Sequence, residues 1–201
     1  MNRVLNTIIR LWRLRDLRRS LLFVIAMLFI FRLAAHVPIP GVDVANLQAF
    51  FRGNAILGLL NVFSGGTMEN FSVVGLGIAP YITASIIFQL LSMVIPALEK
   101  ITKEGEAGQR RINRWTRYAT VPLAALQAFG LLTLLKQSPR PILGTLTPGT
   151  YVFTILTLTA GTLFLMWIGE LISERKIGNG ISLLIFAGII AGLPTALQQA
   201  A

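Results

Sequence analysis

Apolar residues gather in five blocks, 21–37, 75–95, 118–135, 151–169 and 179–197, and the segments between them hold most of the charge. A helix needs about 20 mostly apolar residues to cross about 30 Å of hydrocarbon, and each block reaches or approaches that length. The pattern predicts an all-α, polytopic membrane protein with five transmembrane helices. Ahead of the first block, Val4, Leu5, Ile8, Leu11, Trp12 and Leu14 recur at helical spacing among arginines. This predicts an amphipathic segment over 1–20 lying in the membrane interface. Arginines, an apolar core and then small residues also describe a secretory signal, but four further spans argue against cleavage.

The rhythm breaks between the first two blocks. "HVPIPGVD" turns the chain out of the first span, because Pro38 and Pro40 cannot continue a helix. A loop over 38–58 follows, and within it begins "AILGLLNVF", which is apolar but too short to span. Ser64, Gly65 and Gly66 then interrupt it with a flexible joint. Two structures fit this segment equally: a re-entrant or pore-lining piece, or an amphipathic loop packed on the outer surface. Irregular backbone at membrane depth survives only where protein or a cavity surrounds it.

The second span has its own pattern. Pro80 has no N–H to offer the carbonyl of Leu76, so the helix starts loosely there. Ile78, Ile82 and Ile86 share one face at i, i+4 and i+8, and Thr83, Ser85, Gln89 and Ser92 add polarity that lipid contact does not require. In the fifth span "KIGNGIS" precedes Ile181 and Ile185, which share a face as well. Spacing alone makes such stripes packing surfaces before it makes them a pore.

Charge gives the direction. Arg3, Arg10, Arg13, Arg15, Arg18 and Arg19 precede the first span; Lys100, Lys103, Arg110, Arg111, Arg114 and Arg117 follow the second; Arg175 and Lys176 follow the fourth. The other side holds Arg52, Lys136 and Arg140, so the count is fourteen against three. Positive charge marks the cytoplasmic side. The N-terminus is therefore expected in the cytoplasm, with cytoplasmic loops at 96–117 and 170–178 and external loops at 38–58 and 136–150.

Composition agrees with this division. Of the 201 residues 54% are hydrophobic and 13% charged, well under the roughly 25–35% charged surface of a soluble domain. The net charge of +10 is explained by topology and anionic headgroups before nucleic acid is needed. "EKITKEGEAGQRRINRWTRY" could still meet a cytosolic partner, ribosomal RNA included, or form a solvated charged loop. Its candidate contact residues are Lys103, Arg110, Arg111 and Arg114. Without cysteine, and with one histidine and eight scattered carboxylates, the sequence suggests no catalytic residues, metal site or cofactor. Glu170 and Glu174 fall at the cytoplasmic end of the fourth span, within reach of Arg175 or Lys176.

Five strings, "HVPIPGVD", "FSGGTMENFS", "LGIAPYITASIIFQLL", "KEGEAGQRRINRWTRYAT" and "GTLFLMWIGELISERKIGNGISLLIFAGIIAGLP", closely resemble the SecY family, the protein-conducting channel subunits of bacteria. The likeness runs in order from the first span to the end of the chain. It implies one five-span half of an inverted-repeat ten-helix channel, with an odd span number as such a repeat requires. It implies a short re-entrant plug helix over 59–71, including Leu60, Val62, Phe63, Gly65, Gly66 and Phe71. It implies a pore ring with contributions from Ile78, Ile82, Ile181 and Ile185, and a lateral gate face with Thr83, Ile86 and Gln89. The implied function is passage of unfolded polypeptides across the inner (plasma) membrane and lateral release of apolar segments, without enzymatic activity. The implied partners are SecE, SecG, and the SecA motor ATPase or the ribosome, together with signal sequences, unfolded preproteins and anionic lipids. The alternative is half of an inverted-repeat transporter for a small solute.

Overall fold

The computed structural model describes residues 15–54, 58, 61, 64, 66–138, 142, 144 and 147–200. The interfacial segment expected before residue 15 lies outside the described residues, as do Leu60, Val62, Phe63 and Gly65 of the expected plug. Among the described residues the fold is all-helical: α1 (Arg15–Ala34), α2 (Val44–Arg52), α3 (Ala79–Val94), α4 (Pro96–Lys103), α5 (Glu106–Lys136), α6 (Pro148–Glu174) and α7 (Gly180–Ala200).

Local chemistry explains the boundaries. Asp43 caps α2, accepting from the amides of Ala45 and Asn46 at 3.0 and 3.1 Å. Thr147 caps α6 through the Thr150 amide at 3.3 Å, and Pro148 stands in its first turn. Asn179 opens α7, its side-chain oxygen accepting from Ile181 and Ser182 at 3.0 and 3.2 Å. α3 ends because Ile95 precedes Pro96 and takes an extended conformation. The chain then turns through 105° into α4. The charged connection expected as a loop over 96–117 is thus largely helical, made of α4 and the first turns of α5.

α5 and α6 are long and apolar enough to cross a membrane, and α3 with α4 makes a third such unit if the bent pair counts as one span. With 31 residues, α5 is about 46 Å long at 1.5 Å per residue. It therefore exceeds a hydrocarbon core of about 30 Å, and its excess carries Glu106 to Arg117. α1 carries charge at both ends, and the apolar run of α7 is Gly180–Ala191.

α6 is the hub, packing on α1, α3, α5 and α7, while α3 packs on α5. On α5, Gly108, Ile112, Thr116, Thr120, Ala124, Ala128 and Leu132 recur at every fourth position and are all buried. Small residues along such a stripe let helix backbones approach closely. Two apolar cores result. One joins Leu47, Phe51, Phe71, Leu132 and Leu158 near the α2 end. The other joins Val24, Phe31, Ile78, Leu165, Ile168 and Leu184 around the start of α3.

Candidate functional site

The start of α3 is held by a buried, tightly turned strap. Val73 N–H donates to the Val37 carbonyl at 2.9 Å and Ile39 N–H to the Phe71 carbonyl at 2.9 Å. The Val73 carbonyl lies so close to Gly161 of α6 that a Cβ at that glycine would overlap it. Gly77 takes φ +60, a left-handed conformation suited to glycine. That turn delivers Ile78 as the residue ahead of α3, with Pro80 in the first turn.

Two cavities near the start of α3 share lining residues. The first, of about 200 Å³, is lined by Phe31, Leu76, Ile78, Ile82, Leu165, Leu184 and Ile185, with Ser64 and Met68 from the broken segment. The second, of about 720 Å³, is lined by Ser85, Ile86, Gln89, Gln109, Asn113, Arg117, Glu170, Glu174, Asn179 and Ser182, together with Ile82, Ile181 and Ile185. Ile82 and Ile185 thus stand on both, Ile78 on the apolar one alone and Ile181 on the polar one alone. Among the described residues α3 and α7 do not pack on each other; they face one another across these spaces.

Of the residues expected at a gate face, Ile86 and Gln89 line the polar cavity. Thr83 does not; its hydroxyl donates to the Ala79 carbonyl of its own helix at 3.0 Å. Among the expected plug residues, Gly66 takes φ +77 and donates to the Asn61 carbonyl at 2.9 Å. The Asn61 side chain accepts from the Glu69 amide at 3.1 Å, and Gly58 and Asn61 are themselves helical. Phe71 is 2% exposed and belongs to the core around Leu47, at φ +45. A bulky residue keeps a positive φ only where its surroundings hold it.

The expected partner loop carries its cations in local pairs: Lys103 with Glu99 at 2.6 Å, Arg110 with Glu106 at 3.1 Å and Arg111 with Glu104 at 3.7 Å. Arg114 is exposed. Glu170 pairs closely with Arg117 of α5, whereas sequence reasoning looked to its neighbours Arg175 and Lys176. Arg175 instead lies over the ring of Phe23, 4.1 Å from its centroid. The signal for the real pair was present in the sequence: opposite charges at the ends of two apolar blocks expected to finish on the same side. Met68, Ser64 and Phe31 of the apolar cavity had no such signal.

Long apolar helices packed around α6, with isoleucines gathered between an apolar and a polar space, define a polytopic membrane protein. Residues 72–201 match the family model of SecY. The chain belongs to the SecY family. It is 49% identical over 190 residues to the protein translocase subunit SecY of Escherichia coli strain K12, covering 92% of this chain and 43% of that protein. It is 50% identical over 191 residues to the protein of the same name from Buchnera aphidicola, covering 92% and 53%. For the one from Streptomyces galbus the identity is 46% over 206 residues, covering 96% and 47%. The chain spans about half the length of the curated relatives it matches.

Proposed function

We propose that this chain forms half of a protein-conducting channel, with Ile78, Ile82, Ile181 and Ile185 in its constriction. The observation that carries the reading is that Ile82 and Ile185 border both an apolar and a polar cavity. A thin apolar ring between two spaces offers no polar group to an ion, so a narrow one dewets and resists leakage. It also presents little adhesive surface to a passing polypeptide. Ser64 and Met68 on the apolar cavity support a closing role for the plug segment over 59–71. Ile86 and Gln89 on the polar cavity support a gate face that parts toward lipid, with Thr83 on the same helix.

In this reading the chain has five spans, its N-terminus is cytoplasmic, and the membrane is the inner one. It is a passive conduit without an active site. SecE and SecG would accompany it in the bilayer, and SecA or a ribosome would drive signal sequences and unfolded preproteins from the cytosol. Lys103, Arg110, Arg111 and Arg114 would meet those partners or anionic lipids. Vesicles reconstituted with the full chain and its partners test the function. Protease-protected preprotein is the expected result; solute uptake without protein export would establish the small-solute transporter instead.

A further inference from the structure

We propose that Arg117 and Glu170 are positioning residues for the constriction, setting where Ile181 stands by way of Gly169. The inference rests on the channel reading above. Among the described ion pairs the other three lie within α4, the turn after it and the first turns of α5. Arg117–Glu170 instead ties α5 to α6. The Glu170 side chain is 22% exposed and that of Arg117 48%, and both line the polar cavity beside Tyr81 of α3. A partly covered pair is screened by salt less than an open one. The two hydroxyls beside it on the buried stripe of α5 fold back on their own helix. Thr116 donates to the Ile112 carbonyl at 3.0 Å and Thr120 to the Thr116 carbonyl at 2.8 Å. Among the described residues the ion pair is the polar tie between this end of α6 and α5.

What that end of α6 carries is the base of α7. A Cβ at Gly169, next to Glu170, would stand 2.5 Å from Ile181 Cδ1 and 3.4 Å from Leu184 Cδ1. Gly180 sits so close to the Gly169 carbonyl that a Cβ there would overlap it. The Ser173 hydroxyl donates to the Gly169 carbonyl at 2.9 Å and accepts from Gly180 N–H at 2.8 Å. Ile181 N–H donates to Asn179 Oδ1 at 3.0 Å, Gly180 just before it is fastened to α6, and its side chain rests on Gly169. A displacement of residues 169–173 moves Ile181 with it. Arg117 opposes that displacement from α5.

The test measures resting ion conductance in planar bilayers, and melting temperature, for Glu170→Gln, Arg117→Gln, the exchanged pair R117E/E170R, Gly169→Ala and Ile82→Asn in the full chain. Glu170→Gln and Arg117→Gln should each raise conductance about two- to fivefold, the range that losing a half-exposed ion pair permits. The exchanged pair should return it toward the original value, which a general loss of stability would not do. Gly169→Ala should leak with the ion pair intact, because its methyl meets Ile181 directly. Ile82→Asn is the reference for the channel itself. If it leaks while the Arg117, Glu170 and Gly169 variants stay tight, or if the exchange restores nothing, the positioning role is wrong. If Ile82→Asn also stays tight, the channel reading fails and this inference falls with it.

Discussion

The Phe71 carbonyl accepts a 2.9 Å hydrogen bond from the Ile39 amide, tying the far end of the proposed plug segment to the turn that leaves α1. The Phe71 ring is buried with Leu47, Leu132 and Leu158. Phe71→Ala should destabilise the fold by about 3–5 kcal/mol, as loss of a buried aromatic ring does. Deleting residues 60–70 should leave membrane insertion and protein levels intact while raising resting ion leakage. Denaturation midpoints and bilayer conductance, measured on both variants, separate the two effects. Equal destabilisation by both, without leakage from the deletion, would make the segment a packed loop.

Gly161 gives an independent handle on the same frame. A methyl there meets the Val73 carbonyl oxygen, which is backbone and cannot swing aside. Gly161→Ala should lower stability by about 1–3 kcal/mol, the usual cost of overpacking a core. The strap must then lift from α6, and because it sets the start of α3, conductance should rise with the loss. Thermal melting beside conductance checks this; a melting temperature equal to the parent's would mean that α6 yields freely at this point.

The topology has a direct assay. Gln109 lies in the first turns of α5 and Gln137 caps its other end, and both are exposed. Single cysteines at the two positions in the active full chain should react with impermeant reagents from opposite faces, Gln109 from the cytoplasm and Gln137 from outside. Reaction of both from one face would rule out the five-span arrangement.

The sequence disclosed some of this and concealed the rest for physical reasons. A helix stands in each of the five apolar blocks, and α5, α6 and the bent α3–α4 pair are long and apolar enough to cross a membrane, because a span needs a long apolar run. The break at Pro96 and the 105° turn into α4 emerge only in the structure, because the charged face of α4 disguised it as loop. α2 was hidden in the same way: nine residues capped by Asp43 are too few for a periodicity to stand out. The isoleucine stripe on α3 was visible as spacing. Its convergence with Ile185 depends on the strap over Gly161 and on Gly180 against Gly169, close approaches that belong to the assembled fold. The Arg117–Glu170 pair was misassigned because proximity in sequence favoured Arg175 and Lys176, whereas helix ends far apart in the chain lie side by side in space.

The measurement that bears most directly on the channel reading is ion conductance taken together with melting temperature on Ile82→Asn, Ile185→Asn and Ile86→Asn. Ile82 and Ile185 are half-buried on both cavities, while Ile86 is 50% exposed and lines the polar one alone. At a wetted constriction an Asn side chain finds water, so the first two variants should keep their melting temperature, leak ions at rest and accept poorly hydrophobic signal sequences. Ile86→Asn should leak less. Were these residues packed between helices instead, each Asn would be buried without partners at a cost of about 1–3 kcal/mol. Lowered melting temperatures with tight channels would contradict the account.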